Sequence, residues 1–459
     1  MQRRPPAAGK RGLPNRRVTG RAGLAVALAV LASACSPRPP NVVLVTIDTI
    51  RVDRVGAYGS TQGLTPHLDR LASQATVFES CITPMPTTWP AHASMLTGLP
   101  PRAHRVRSNA QRLAAKIPTL AEQLRDAGYA TGAFVALKSL VAKSGLDRGF
   151  QTVSDAAPSR PFVRSGRDVN ALARRWLGER DDRPFFAWIH YYEPHTPLEL
   201  TPYAAERLRD YRGPYAEGAS VPLYYGTSEQ WMRSPVDRAA IEALYDGEVR
   251  EVDIRVGELV AMLRLLALWS DTVVIVAGDH GQSLGERGMP GHGRSLFQSV
   301  LRVPLIVRDP RRRGATRVAE PVSLSDVTPT VLDLAGLPIP AGVQGRSLAP
   351  ALRGTQLPSR RHVAELRDPR LHDDAAAFDR VAVYEGRFKL MLVAGEGRLY
   401  DLRDDPREVR AIPRAAMPLR FDRLLAVAEE LRTARAAPPD ATAPDPETSE
   451  ELRALGYLR

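Results

Sequence analysis

Cysteine is almost missing from this chain. Cys35 and Cys81 are the only two in 459 residues, which excludes a disulfide-stapled scaffold and a cysteine-rich zinc module. There is no dinucleotide-binding glycine fingerprint, no internal repeat and no coiled-coil heptad. Acidic residues are absent from residues 1–22, where Arg3, Arg4, Lys10, Arg11, Arg16, Arg17 and Arg21 lie. These seven account for most of the net charge of +12, and without them the rest of the chain carries +5. That excess is a weak basis for nucleic-acid binding, and none is expected. The apolar stretch Gly23–Ala34 is too short to span a bilayer as a mature helix.

What is present begins with that N-terminus. A basic stretch, an apolar stretch and then Ala32-Ser33-Ala34-Cys35 read as a secretory signal over 1–35. Cys35 resembles the lipidated cysteine of bacterial lipoproteins, with 36–40 as a tether. The expected location is periplasmic or the outer face of a bacterial membrane, held by a lipid anchor at Cys35. Cleavage after Ala32-x-Ala34 by an ordinary signal peptidase is the alternative. Cys81, seven positions before Thr88, reads as a buried apolar residue.

The rest of the chain is organised around Pro86-Thr87-Thr88-Trp89-Pro90-Ala91-His92-Ala93-Ser94-Met95-Leu96-Thr97-Gly98. Pro90 presets φ for a first helical turn, so Thr88 would sit among unpaired backbone N–H groups that favour an anion. Thr88 is then a candidate nucleophile; a plain N-cap before a core helix is the other reading. Two β-branched apolar runs end in carboxylates, Asn41–Ile47 before Asp48 and Thr272–Gly278 before Asp279-His280-Gly281. Runs of this kind predict strands buried on both faces of a parallel sheet, with ligands at their carboxyl ends. Asp48, Asp279 and His280 would converge there with Thr88, a set able to hold a divalent cation.

Together these motifs resemble the sulfatase branch of the alkaline phosphatase superfamily, in the family's order from Asn41 to about Arg353. Tyr384–Leu390 and Leu399–Leu402 are similar to its C-terminal region. The resemblance implies an α/β three-layer sandwich with a central mixed, mostly parallel sheet over 41–358. It also implies a smaller C-terminal α+β domain over 359–435, leaving 436–459 as linker and terminal helix. It implies metal ligation by Asp48, Thr88, Asp279 and His280, by zinc or calcium, as one or two ions. His195, between prolines on what reads as an exposed loop, matches a substrate-contacting histidine. His292, in a glycine-rich loop, falls where sulfatases usually carry a lysine. Asn109 matches an asparagine that contacts a phosphoryl oxygen in related phosphodiesterases; a loop asparagine bonding its own turn is the other reading.

The departures from the family pattern matter as much. A formylglycine sulfatase needs Cys or Ser where this chain has Thr88. The usual arginine is His92, counted here with the substrate-binding residues, and the second aspartate is Thr49. The expected lysine falls on Ala136, with Lys138 out of register. The sequence therefore predicts an exported metal-dependent hydrolase of phosphate or sulfate esters, phosphoester preferred, with Thr88 as nucleophile. His195 and His292 would donate to the ester oxygens and supply the leaving group's proton. The substrate would be a small-molecule, glycan or lipid ester. The alternatives are a sulfuric ester hydrolase working without formylglycine and an inactive binding protein on the same scaffold. Elsewhere the pattern predicts helices over 117–128 and 239–266, a long surface loop over 201–235, and a structural role for His190 at a strand end.

Overall fold

Continuous runs of Val, Ile and Leu cannot leave either face of a strand in water, so they end up at the centre of a sheet. The computed structural model, which describes residues 38–154, 163–219, 228–366, 379–434 and 450, puts them there. The strands in chain order are β1 (Asn41–Ile47), β2 (Thr76–Ile82), β3 (Ala130–Val135), β4 (Thr152–Val153), β5 (Phe185–Tyr191) and β6 (Thr272–Gly278). A short pair follows, β7 (Ser283–Leu284) and β8 (Pro290–Gly291), then β9 (Arg302–Arg308), β10 (Thr316–Val318) and β11 (Val322–Ser323). The large sheet runs β10-β2-β9-β6-β1-β5-β3-β4, with β11 also on β2. All its pairs are parallel except those of β9, which is antiparallel to β2 and β6. The fold is an alkaline-phosphatase-like mixed α/β sandwich.

The side-chain alternation of β1 and β5 shows the layers. Thr46 meets His92 of the Thr88–Thr97 helix, so that helix covers one face. Tyr191 bonds Asn170 and the carbonyl of Arg255, so the Gly166–Glu179 and Pro235–Leu265 helices cover the other.

A separate four-stranded antiparallel sheet follows, β12 (Arg361–Leu366), β13 (Arg380–Glu385), β14 (Phe388–Val393) and β15 (Glu396–Asp401), with the Pro418–Thr433 helix packed on it. This smaller sheet is built into the main body. Met85 is buried among Val381, Val383 and Leu390, and Glu365 N–H donates to Pro84 O. On the other side, Lys389 Nζ donates to Leu296 O and to Glu408, Gln298 N–H donates to Glu408 Oε2, and Arg380 donates to Arg294 O. Both the approach to Thr88 and the far end of the His292 loop are thus held by the small sheet.

Some expectations needed correction. Residues 201–235 are not one surface loop: helices Pro202–Leu208 and Ser228–Arg233 occupy part of that stretch, and Ala204 and Trp231 are buried against the long helix. The 239–266 helix begins earlier, at Pro235, because Ser234 caps it by accepting from Asp237 N–H. The 117–128 helix is shorter, Leu120–Asp126, with Thr119 and Glu122 as its capping box. The signal segment, Cys35, and the 436–459 linker and terminal helix, Glu450 apart, lie outside the described residues. Among the described residues no helix is long and apolar enough to cross a membrane.

Candidate active site

β1 and β6 are adjacent and parallel, with Ile47 opposite Gly278, so the residues that follow them emerge side by side. Asp48 and Asp279 are therefore neighbours for a backbone reason. Thr49 adopts a left-handed φ of 53°, unusual for a β-branched residue, and this turn lets its N–H donate to Asp279 Oδ1 at 3.1 Å. His280 N–H donates to the same oxygen at 2.6 Å. Gly281 closes the motif because any Cβ there would lie 2.1 Å from Ser299 O.

The Thr88–Thr97 helix brings the hydroxyl. Thr88 is its first residue and Thr87 the N-cap, whose side chain makes no capping bond, so Thr88 is not a capping threonine. Gly98, at φ 70°, ends the helix in the left-handed conformation that glycine accepts readily. Thr88 Oγ1 lies 3.3 Å from His280 Nε2. His280 Nδ1 faces Gly281 O at 3.1 Å, and a carbonyl can only accept, so the ring proton sits on Nδ1. Nε2 then presents a lone pair to Thr88 Oγ1 and to Asp279 Oδ2 at 3.4 Å.

Asp48, Thr88, Asp279 and His280 are all fully buried. Burial, and then the charge of Asp279, hold the Asp48 carboxyl well above its ordinary pKa; burial does the same to Asp279. Both Asp48 oxygens and Asp279 Oδ2 have no hydrogen-bond partner. One ligand atom each from Asp48, Asp279 and His280 can be chosen within 4.8 Å of one another. Two buried carboxylates with unpaired oxygens beside an imidazole lone pair are a donor set that fits a divalent cation.

The remaining expected residues fall around this cluster. His195 is buried, so its loop is not exposed as the sequence suggested. Its Nδ1–H donates to Thr196 O at 2.6 Å, and burial lowers its pKa to about 4. His292 bonds Gln282 Oε1 through Nδ1 at 3.0 Å, and burial, with His280 and His195 nearby, pushes its pKa well down. Its ring lies 4.3 Å from that of His280 and 5.1 Å from that of His195, centre to centre. Burial favours the neutral form of both rings, and with their proton on Nδ1 their Nε2 atoms are free to accept one.

His92 is not in a position to bind substrate. Its Nδ1–H donates to Thr88 O at 2.8 Å, and its Nε2 accepts from Thr46 Oγ1 at 3.1 Å. Thr46 in turn accepts from Trp188 Nε1 at 3.0 Å. Where the family resemblance puts an arginine, an imidazole of lowered pKa braces the Thr88 backbone. Asn109 does not bond its own turn. Its Oδ1 accepts from Trp89 N–H at 2.8 Å, and its buried Nδ2 has no partner. His190, which reads from the sequence as structural, is buried with Nε2 3.8 Å from Asp48 Oδ2. No local signal shows this proximity, because it depends on β5 lying beside β1.

Residues 40–337 match the sulfatase family, and residues 285–426 match the C-terminal region of N-sulphoglucosamine sulphohydrolase. Human N-sulphoglucosamine sulphohydrolase is 28% identical over 361 residues, covering 72% of this chain and 69% of its own. The choline-sulfatase of Rhizobium meliloti is 28% identical over 440 residues, 81% of either chain. Among solved structures, the phosphonate monoester hydrolase of Agrobacterium radiobacter superposes with a TM-score of 0.69 at 24% identity, covering 86% of this chain and 95% of that one. A 2-O GAG sulfatase superposes with a TM-score of 0.70 at 23% identity, covering 91% and 96%. The chain belongs to the sulfatase family of the alkaline phosphatase superfamily and is an ester hydrolase.

Proposed function

We propose that this hydrolase cleaves phosphate esters in preference to sulfate esters, with Thr88 as the direct nucleophile. The observation that carries the reading is Thr88 Oγ1 beside the unprotonated Nε2 of His280 and two buried carboxylates, Asp48 and Asp279, that keep unpaired oxygens. Threonine cannot become the aldehyde that formylglycine sulfatases use, so its own oxygen must attack. Asp48, Asp279, His280 and Thr88 would hold a divalent cation, which lowers the pKa of a bound hydroxyl and offsets charge on the ester.

The chain's own groups account for the remaining steps. His92 fixes the Thr88 backbone through the carbonyl, and so aims Oγ1. Asn109, locked by Trp89 N–H, offers Nδ2 to a non-bridging ester oxygen. The Nε2 atoms of His195 and His292 take up the proton released by Thr88 and return it to the departing alcohol; in the second step they take a proton from the hydrolytic water and return it to Thr88 Oγ1. Attack gives an ester of Thr88, which water then hydrolyses. The names of relatives, sulfatases and a phosphonate monoester hydrolase, support both ester classes. The N-terminal signal pattern supports export, with anchoring at Cys35 checked by membrane fractionation of Cys35→Ala.

The test is turnover of phosphomonoester, phosphodiester, phosphonate and sulfate ester substrates with Zn²⁺, Ca²⁺ or Mn²⁺ added to chelator-treated enzyme. Phosphoester cleavage should exceed sulfate cleavage. Turnover confined to sulfate esters would overturn the preference.

A further inference from the structure

One imidazole near the cluster has no assigned task. His190 is fully buried at the centre of the large sheet, and neither of its ring nitrogens has a hydrogen-bond partner. Its backbone cannot shift: it pairs with Thr46 on β1 and Val135 on β3, and its carbonyl accepts from Ala136 N–H at 3.1 Å. The ring packs 5.1 Å from His92, centre to centre. Its Nε2 stands 3.8 Å from Asp48 Oδ2, an oxygen that is also without a partner. Asp48 is equally anchored, its N–H donating to Tyr191 O at 3.0 Å.

Two rigid supports therefore hold a buried potential donor and a buried acceptor face to face, just beyond hydrogen-bond length. Leaving both unpaired is costly, and an apolar side chain would fill the same space without that cost. A rotation of the Asp48 carboxylate would close the gap, and Oδ1, 3.8 Å from His280 Nε2, lies on the side of the other candidate ligands.

We infer that His190 is the positioning residue for Asp48, its Nε2–H donating to Oδ2 so that Oδ1 is presented to the cation. The inference rests on the cation reading of Asp48, Asp279 and His280. A carboxylate gripped at one oxygen offers the other in a single orientation, which is how partners behind metal ligands set affinity. His190 is then not a ligand itself.

The test uses the full-length protein stripped by chelator, titrated with Zn²⁺, Mn²⁺ and Ca²⁺ separately against a chromophoric competitor. His190→Leu should bind the preferred ion roughly 10–100-fold more weakly, while His190→Gln, which keeps a donor at the same reach, should stay within about threefold of wild type. The melting temperature of each metal-free protein, read alongside, should differ far less than the affinities. His190→Met replaces the leucine variant if that fails to fold. Wild-type affinity in His190→Leu overturns the inference, as does a loss in His190→Gln equal to that in His190→Leu, which would make His190 a ligand. Binding of none of the three ions by wild type would instead sink the cation reading, and this inference with it.

Discussion

Lowering the pH from 7.5 to 5 should weaken the fold through His104, a buried histidine outside the catalytic cluster. It ends the Pro101–His104 turn, accepts from Val106 N–H through Nδ1 at 3.0 Å, and faces Ser94 Oγ through Nε2 at 2.8 Å. Accepting from an N–H leaves the single ring proton on Nε2, which donates to Ser94, so the folded ring is neutral. Burial, reinforced by Arg107, lowers its pKa from 6.5 to about 3. A base depressed in this way adds stability that is complete above 6.5 and is lost as pH falls toward 3, because the unfolded chain takes up the proton first. At pH 5 the deficit is set by the distance from the ordinary value, about 1.5 pH units, or about 2 kcal/mol. The assay is urea unfolding of wild type and His104→Gln at both pH values. Wild type should lose about 2 kcal/mol more than the variant, since every other titrating group is common to both. Parallel losses would refute the neutral, doubly bonded ring. Activity should follow stability, because His104 joins the Thr88–Thr97 helix to the loop that leads to Asn109.

The nucleophile assignment predicts that Thr88→Ala loses at least about 10³-fold in kcat, with Thr88→Ser retaining measurable turnover; an alanine variant within tenfold of wild type would refute it. Asp279→Ala combined with His280→Ala should remove bound metal, by elemental analysis, together with turnover, while far-UV circular dichroism is unchanged. Full activity in the metal-free double variant would sink the assignment. Lys389→Met leaves Glu408 as an unpaired buried charge and should cost about 3–5 kcal/mol in urea unfolding; a change below about 1 kcal/mol would mean that the Lys389–Glu408 pair is not what holds the His292 loop.

Those parts of the fold were legible whose burial is written into consecutive residues. Asn41–Ile47 and Thr272–Gly278 had to be central strands because no face of them is polar, and the carboxylates after them then had to meet. Pro90 marked the helix start that places Thr88. Legibility stopped where tertiary partners decide. Nothing local to His92 tells that Thr46 and Thr88 O would engage both its nitrogens. His195 reads as a loop residue, and only the packing of Tyr192 and His292 around it shows that it is buried. His190 ends an apolar run and reads as structural, since its relation to Asp48 depends on which strand lies beside β1. Residues 201–235, rich in Tyr, Arg, Pro and Gly, gave no helical period, yet Ala204 and Trp231 gain enough burial against the long helix to order part of the stretch.

The small antiparallel sheet has a consequence for how this protein can be divided or recombined. Met85 and Pro84 lean on it from one side and the 294–298 segment from the other, so the candidate site residues of the first 300 positions depend on residues beyond 360. A chain ending at 358 would keep every candidate ligand in its sequence and still lose the supports on both flanks of the reaction centre. Exchanging this region between relatives to alter substrate choice would likewise fail unless Lys389, Glu408 and Arg380 travelled with the loop they grip. The two sheets are separate in topology but a single unit of inheritance.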